Sequence, residues 1–360
     1  MSNLDALGSI ASRDPGNMYG AINSLPAQIR TAVTLATAVA CDSARYAGVR
    51  QIILCGMGGS AIGGDLARSL LADTLPAPLI VCRDYRLPAF TGPDTLVIAS
   101  SYSGNTEETL AAFEQARSRG CRLFGLTTGG RLQTILEQEQ IPYVLLPGGL
   151  QPRAALGYSF APLMLFFHRI GLSPFGPSAF AALADFLQRR AADYDLAVPS
   201  DGNPAKHLAL RLYGRIPIIY SGPSLTDAVA VRIKGQINEN GKMPAYTGQF
   251  PECNHNELVG WKIIAAFRQF LRVIILRDAE DHPRVTARME IVKGLIEKQD
   301  VEVIDIDAAG ADRLQRMFSL IQLGDFVSFY LAVLNNVDPT PVEAIESLKR
   351  ELARLPGVPS

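Results

Sequence analysis

The first 150 residues alternate short apolar runs with helical segments. Near-continuous apolar runs lie at 51–56, 78–82, 95–100, 122–127 and 142–147. Because buried strands that are separated by helices are typical of a parallel sheet covered on both faces, this pattern predicts a parallel α/β lobe. A helix predicted over about 23–47 precedes the first strand and can cap the sheet.

The pattern changes after residue 152. From 153 to about 197 only helical periodicity is present, with an interruption near 171–177, and strand-like runs return afterwards. They lie at 216–222, weakly at 242–246, and strongly at 271–277 and 301–306. We therefore predict an N-terminal domain over 1–152, a helical connector over 153–200 and a C-terminal domain over 201–336.

The last part of the chain, 337–360, is predicted to hold one amphipathic helix. After Pro341, apolar residues recur every three to four positions at Val342, Ile345, Leu348 and Leu352. This spacing places them on one face of a helix that the proline can start.

Composition and charge favour a small molecule as the partner of this protein. The chain has 360 residues, is 48% hydrophobic and carries a formal charge of -1, which suits a large core and leaves no basic patch for nucleic acid or an anionic membrane. Its five cysteines show no paired spacing, so neither a disulfide framework nor a zinc cluster is expected. No secretory pattern and no apolar run near the roughly 18 to 20 residues of a membrane span are apparent, which predicts a soluble cytoplasmic protein.

The first strand runs into a glycine-rich turn over 56–65 that opens a helix. Glycine at Gly58 and Gly59 lets backbone N–H groups approach an anion, and the helix N-terminus adds unpaired donors. The turn also fits a dinucleotide fingerprint, with Asp84 as the acid that would bind the ribose. The turn alone leaves both interpretations open.

A second loop favours a phosphate monoester. The third strand ends in hydroxyl-bearing residues, Ser101, Ser103 and Thr106, just before another helix. Hydroxyl and backbone donors can hold a phosphate without lysine, and loops after neighbouring parallel strands meet at one edge of the sheet. Any single residue here is equally explained as a helix cap or a turn former.

Gly58-Gly-Ser60 and the segment 101–109 together resemble the sugar isomerase (SIS) domain. That resemblance implies a flavodoxin-like fold and a sugar-phosphate ligand, with Ser60 joining the phosphate-binding residues. It does not imply a particular reaction, because isomerases and sugar-phosphate-responsive regulators share the domain.

Two residues are candidates for proton chemistry at a sugar. Arg153 follows a strand and a proline at the start of a helix, where a fixed cation can stabilise an oxyanion. Glu239 lies where a helix should end, against the negative end of the helix dipole, which suits a general base. A surface salt bridge for Arg153 and a solvated helix end for Glu239 are the alternatives.

His255 is the histidine most suited to acid-base chemistry. It lies in a polar, turn-like segment over 251–258, between two asparagines. His168 and His207 fall in helical stretches, and His282 begins a helix, so packing or surface roles are expected for these three.

The motifs around Gly58, Ser101, Arg153, Glu239 and His255 and the C-terminal helix follow one another in the order of the bifunctional phosphoglucose/phosphomannose isomerase family. The chain resembles that family over essentially its whole length. The most specific parts are Asn238-Glu-Asn240 and the later Asn254-His-Asn-Glu257, because regulators have no need of them.

The resemblance implies a mechanism without a metal or a nucleotide cofactor. His255 and Lys349 would assist ring opening, Glu239 would move a proton between C2 and C1, and Arg153 would stabilise the cis-enediolate. Lys242 competes with Lys349 for its role. The phosphate would be held by Gly58, Gly59, Ser60, Ser101, Ser103 and Thr106.

The resemblance also implies a homodimer in which the neighbouring subunit supplies the catalytic histidine, and tolerance of both C2 epimers through a small residue such as Thr340. The rival interpretations are a non-catalytic sugar-phosphate sensor, an NAD-dependent oxidoreductase, a zinc-dependent phosphomannose isomerase, and an enzyme of aminosugar phosphates. The sensor has no use for Glu239 and His255, the oxidoreductase does not explain the serine loop, and no cluster has the spacing of zinc ligands.

Overall fold

A computed structural model describes residues 3–262, 265–352 and 354 of the chain. It contains two parallel sheets flanked by helices, as the sequence predicts. The helices are α1 (Leu7–Ala11), α2 (Met18–Asn23), α3 (Leu25–Ala38), α4 (Gly58–Leu70), α5 (Glu107–Ser118), α6 (Gly130–Gln138), α7 (Leu156–Arg169), α8 (Pro177–Ala191), α9 (Pro204–Leu212), α10 (Asp227–Glu239), α11 (Ala265–Arg268), α12 (Pro283–Glu297), α13 (Arg313–Leu334) and α14 (Glu343–Leu352).

The first sheet has the strand order β2-β1-β3-β4-β5, and all of its pairs are parallel. Its strands are β1 (Gln51–Cys55), β2 (Leu79–Cys82), β3 (Thr95–Ser101), β4 (Arg122–Thr127) and β5 (Tyr143–Leu145). All five predicted runs form strands. Because β1 and β3 are neighbours, the glycine-rich turn after β1 and the serine loop after β3 leave the sheet side by side.

The second sheet repeats the same connectivity on a smaller scale. Its strands are β6 (Ile216–Ser221), β7 (Tyr246–Gln249), β8 (Leu271–Arg277) and β9 (Val303–Asp307), in the order β7-β6-β8-β9. This order matches β2-β1-β3-β4 of the first sheet. The two lobes therefore share one order of strands.

The weak strand predicted at 242–246 is present, but its predicted position was wrong, since it covers Tyr246–Gln249. The strand starts at Tyr246, because Lys242 has a left-handed backbone with φ of 52° and turns the chain before the strand begins. The predicted domain boundaries stay predictions.

Helices from the connector and the second lobe form the core between the sheets. The connector consists of α7 and α8, with a break between them as predicted. Helix α13 packs against α8, α9 and α10 and is buried along most of its length. It is long and apolar enough to cross a membrane, with a mean hydropathy of 1.7, which the sequence analysis did not anticipate. However, 89% of that stretch is buried inside the protein, as in a core helix.

The predicted C-terminal helix is present as α14, although the segment 337–360 extends beyond the described residues. None of its residues is buried, and Ile345, Leu348 and Leu352 expose their side chains. Its apolar face therefore has no cover within this chain among the residues that the structure describes.

Candidate active site

The glycine-rich turn and the serine loop are joined by hydrogen bonds at the carboxyl edge of the first sheet. Ser60 lies in the first turn of α4, and its Oγ accepts the backbone N–H of Tyr102 at 3.1 Å. Ser100 Oγ donates to the carbonyl of Ser60 at 2.9 Å. The structure thus brings together the two loops that the sequence assigned to one phosphate.

The hydroxyl groups of the serine loop do not cap the helix that follows. Ser101 Oγ and Thr106 Oγ1 are 2.9 Å apart, and Ser103 Oγ accepts the N–H of Asn105 at 3.2 Å. Thr106 occupies the N-cap position of α5, but its side chain makes no capping hydrogen bond. The capping alternative therefore does not explain Thr106.

Arg153 lies in a short 3-10 turn over Pro152–Ala154 and is almost fully buried, with 4% of its surface exposed. Its Nε donates to Asn240 Oδ1 at 2.6 Å, and its Nη2 donates to the carbonyls of Pro339 and Thr340 at 2.7 and 2.8 Å. Its Nη1 lies 3.4 Å from Glu239 Oε2. The surface salt bridge considered for Arg153 is excluded, because this guanidinium is enclosed and points at the carboxylate.

Burial lowers the pKa of Arg153, and the charges of Glu239 and Asp338 act against that shift. The lowered value still belongs to a guanidinium, which stays charged in proteins. Arg153 is therefore a buried cation with a fixed direction, suited to stabilising negative charge on a bound molecule.

Close packing of Gly59 sets the position of Arg153. A Cβ on Gly59 would lie 2.8 Å from the carbonyl carbon of Pro152 and 3.0 Å from the backbone nitrogen of Arg153. The lack of a side chain lets the turn after β1 touch the segment that carries the arginine.

Glu239 is the last residue of α10, as predicted, and about one third of its side chain is exposed. It lines a cleft of about 560 Å³, including the open mouth, together with Gly58, Gly59 and Arg153. Residues from both lobes thus line this cleft. Its size and its lining suit a small polar ligand.

His255 ends a 3-10 turn over Glu252–His255, in the polar segment where the sequence placed it. Its side chain is exposed, and it is not among the described residues that line the cleft. The structure therefore does not bring His255 to Glu239 within one chain. His168 hydrogen-bonds the carbonyl of Ser173, and His282 accepts a hydrogen bond as the N-cap of α12, in agreement with structural roles.

The two candidate lysines differ in their surroundings. Lys349 is exposed on α14, whereas Lys242 Nζ donates to the carbonyls of Glu239, Pro339 and Pro341. Partial burial and the nearby Arg153 hold the pKa of Lys242 below its ordinary value. In the described part of the chain, Lys242 and not Lys349 lies beside Glu239.

The second lobe has no matching hydroxyl-rich loop after β8, its counterpart of β3. That loop is acidic and is occupied by Arg316, which binds Asp278 Oδ1 and Glu280 Oε1, each at 2.6 Å. The carboxylates of this loop disfavour a phosphate, and Arg316 is already bound to them and is not free to hold one. Within residues 3–262, 265–352 and 354, no group of three or more histidine, cysteine or acidic residues could hold a metal ion.

The sequence analysis missed the site contacts of three polar residues on α10 and at its C-cap, although one of them, Asn240, belongs to the Asn238-Glu-Asn240 motif. Asn240 is fully buried and binds Arg153, while Arg232 and Gln236 line the cleft. The available signal was their spacing of four residues, which puts all three on one face of the helix. Such a face is normally apolar when it packs against a core helix.

Comparisons with known proteins show which proteins this chain is similar to. A family model described as "Bacterial phospho-glucose isomerase C-terminal SIS domain" matches residues 201–352. The chain is 44% identical to a bifunctional phosphoglucose/phosphomannose isomerase of Caldicellulosiruptor bescii, over 94% of this chain and 99% of that protein. It is 38% identical to a protein of the same name from Aquifex aeolicus, over 88% of this chain and 93% of that one.

Among solved structures, the fold is similar to that of tagatose-6-phosphate ketose/aldose isomerase from Escherichia coli. The TM-score is 0.68, with 16% sequence identity over 90% of this chain and 95% of that chain. At this identity the likeness concerns the fold alone.

Proposed function

This chain belongs to the bifunctional phosphoglucose/phosphomannose isomerase family, and from that membership we propose that it interconverts glucose 6-phosphate and mannose 6-phosphate with fructose 6-phosphate. One observation carries the proposal. Arg153 from the end of the first lobe and Glu239 from the second meet at 3.4 Å in a cleft that also contains the glycine-rich turn.

The reaction moves one proton from C2 to C1 and one from O2 to O1, and it requires no net oxidation. In the open-chain aldose, the C2 proton is acidic because it is α to the C1 carbonyl, and Glu239 removes it. The negative charge that develops on the enediolate oxygens is stabilised by the Arg153 guanidinium. Glu239 then gives the proton to C1 while the hydroxyl proton of O2 passes to O1, which gives the ketose.

The phosphate group is proposed to lie against the start of α4 and the serine loop. Support comes from the helix N-terminus, whose N–H groups favour an anion, and from a Thr106 hydroxyl that does not serve as a cap. The proposed contacts are made by Gly58, Gly59, Ser60, Ser101, Ser103 and Thr106.

Ring opening is proposed to use His255 and Lys349, with His255 supplied by the neighbouring subunit of a homodimer. The exposed position of His255, away from the cleft of its own chain, supports a role in a partner's site. The exposed apolar face of α14 is also consistent with a helix that is covered in an assembly. Lys242 stays the alternative to Lys349, because it lies beside Glu239.

A cytoplasmic location is part of the proposal. The five cysteines are all free thiols in the structure, and three of them, Cys55, Cys82 and Cys253, are buried. Free thiols are typical of a reducing compartment.

Isomerisation in deuterated water tests the function. The chelator-treated protein is mixed with fructose 6-phosphate, and the products are followed by NMR. We expect glucose 6-phosphate and mannose 6-phosphate that carry deuterium at C2. Binding without turnover would favour a sensor, and turnover of glucosamine 6-phosphate instead would favour an aminosugar enzyme.

Two variants check the role of the base. Glu239→Gln keeps the shape of the side chain but removes its basicity, so we expect kcat to fall by about 10²-fold or more with substrate still bound. Glu297→Gln is the matched control, because Glu297 also ends a helix of the second lobe and is exposed outside the cleft. Near-normal turnover in Glu239→Gln would remove this carboxylate from the mechanism.

Mixing two inactive variants tests the shared site. If His255 acts in the partner's cleft, an equal mixture of Glu239→Gln and His255→Ala chains forms heterodimers in which one of the two sites is intact. After subunit exchange we expect about a quarter of the wild-type activity, since half of the dimers are mixed and each has one working site. No recovery would show that both residues act within one chain.

A further inference from the structure

A row of buried polar side chains links α10 to the core helix α13. Arg232 and Gln236 lie on one face of α10, and Asn240, the C-cap residue, continues their spacing of four; the three are 5%, 1% and 0% exposed. Asp325 and Ser328 face them from α13, and both are also buried. We call these five residues the polar ladder.

Each rung of the polar ladder is a hydrogen bond between the two helices. Arg232 Nη2 donates to Asp325 Oδ2 at 2.6 Å, and Gln236 Nε2 donates to Asp325 Oδ1 at 2.9 Å. Asn240 Nδ2 donates to Ser328 Oγ at 2.9 Å. Both oxygens of the Asp325 carboxylate therefore accept from α10, and the two helices are held in one register.

The same ladder also holds Arg153 at two points. Arg232 Nη2 donates to the backbone carbonyl of Arg153 at 3.1 Å, and Asn240 Oδ1 accepts from the Arg153 guanidinium at 2.6 Å. Both the main chain and the side chain of this cation are thus bound to α10. Because Glu239 is the neighbour of Asn240, the ladder joins the two groups proposed to act on the substrate.

Stability alone does not account for charged groups at these positions. Replacing a buried ion pair by apolar residues of similar size often leaves a protein as stable or makes it more stable. Moreover, Arg232 Nε is buried without a hydrogen-bond partner among the described residues, an arrangement that packing for stability would avoid. Arg232 also lines the cleft beside Arg153 and Glu239.

We propose that Arg232, held by Asp325, is a positioning residue that sets Arg153 against Glu239 for proton transfer. The inference rests on the proposed isomerase function and adds to it a group outside the set that the family resemblance implies. Arg232 acts through Arg153, so its loss should affect the chemical step more than the binding of the phosphate.

Kinetics of single variants provide the first test. In Arg232→Met, the backbone carbonyl of Arg153 loses its hydrogen-bond donor. In Asp325→Asn, Arg232 loses the carboxylate that holds it in place. A misplacement of about 1 Å at a catalytic group costs on the order of 10²-fold, so we expect kcat to fall between about 10-fold and 10²-fold. KM for fructose 6-phosphate should change by less than about threefold, since the phosphate loops are untouched.

The double variant Arg232→Met/Asp325→Asn separates positioning from stability. Each single change leaves a buried group without its partner, whereas the double change removes both charges and keeps an amide oxygen at position 325 for Gln236. We expect the urea midpoint of the double variant to recover above those of the single variants while kcat stays low. Recovery of kcat together with the midpoint would overturn the proposal.

Arg316→Met is the matched control. Arg316 forms a comparable buried ion pair with Asp278, at 2.6 Å, on the second lobe and outside the described lining of the cleft. Its loss should lower the urea midpoint and leave kcat within about twofold of the wild-type value. A fall in kcat as large as that of Arg232→Met would overturn the proposal, because any buried ion pair would then have the same effect.

A spectroscopic measurement keeps this inference separate from the proposed function. In protein labelled with ¹⁵N-arginine, the Nε–H of Arg153, identified by its absence in Arg153→Lys, should exchange slowly with water because it is buried and bound to Asn240. We expect this signal to shift and to exchange at least about tenfold faster in Arg232→Met. An unchanged Arg153 signal in Arg232→Met would overturn the positioning role. If the signal changes but the wild-type protein has no isomerase activity, only the proposed function is refuted.

Discussion

Substitution of Gly59 by alanine perturbs the site through backbone packing alone. The new Cβ would lie 2.8 Å from the carbonyl carbon of Pro152, 2.9 Å from its oxygen and 3.0 Å from the nitrogen of Arg153. All three atoms belong to the main chain, so no side chain can turn away. The distance between the turn and the segment that carries Arg153 must increase by at least 0.6 Å to restore an ordinary contact of 3.4 Å, and we expect the segment of Arg153 to move.

The displacement determines the size of the expected effect. A shift of this size takes the contact between Arg153 and Glu239 from 3.4 Å to about 4 Å, the outer limit of an ion pair. Because a misplacement of about 1 Å costs on the order of 10²-fold, we expect Gly59→Ala to lower kcat by about 10-fold. Overpacking should also cost about 1 to 3 kcal/mol, reduced by the gain in helix propensity.

Gly63→Ala in the same helix is the matched control. A Cβ on Gly63 would meet its nearest neighbour, Ser159 Oγ, at 3.8 Å, which is an ordinary contact. This variant should have normal kcat and a free energy of unfolding that is higher by about 0.5 to 1 kcal/mol.

Steady-state kinetics with fructose 6-phosphate and urea unfolding measure both quantities. The backbone N–H of residue 59 is present in either protein, so KM should stay within about threefold of the wild-type value. The reasoning is refuted if Gly59→Ala is destabilised but has wild-type kcat, because the strain would then be absorbed without moving Arg153.

Two further outcomes are expected. Lys349→Met should lower kcat for the cyclic sugar by about 10²-fold, and Lys242→Met by less than about 10-fold; the reverse order would assign ring opening to Lys242. Although burial raises the pKa of Asp305, hydrogen bonds from Lys293 and Arg277 outweigh it and hold that pKa below its ordinary value of 3.8. The carboxylate of Asp305 therefore stabilises the fold above pH 3.8, and this contribution is lost as the pH falls through the lower pKa of the folded state. Asp305→Asn should reduce the free energy of unfolding by about 1 kcal/mol at pH 7 and by almost nothing in strong acid, as measured by urea unfolding. A cost independent of pH would contradict this assignment.

Local pattern was sufficient for the strands of the first sheet and for the end of α10. The runs at 51–56 and 95–100 are apolar, rich in β-branched residues and end in glycine or serine, and such segments are typical of buried strands. Glu239 precedes Asn240 and a glycine, residue types that commonly follow the end of a helix. In contrast, the residues at 242–246 contain one strand former, Tyr246, and the left-handed backbone of Lys242 turns the chain before the strand begins.

The sequence by itself determined the two-lobed α/β architecture, the position of the serine loop after β3 and the family, because these depend on periodicity and on contiguous motifs. Tertiary structure decided which distant residues share a cleft: Arg153 and Glu239 are 86 positions apart, and the ladder from Arg232 to Asp325 spans 93. Periodicity reports which residues share a face of one helix but not what lies opposite. Only the packing of α10 on α13 turned three polar residues of one helix into supports for a buried cation.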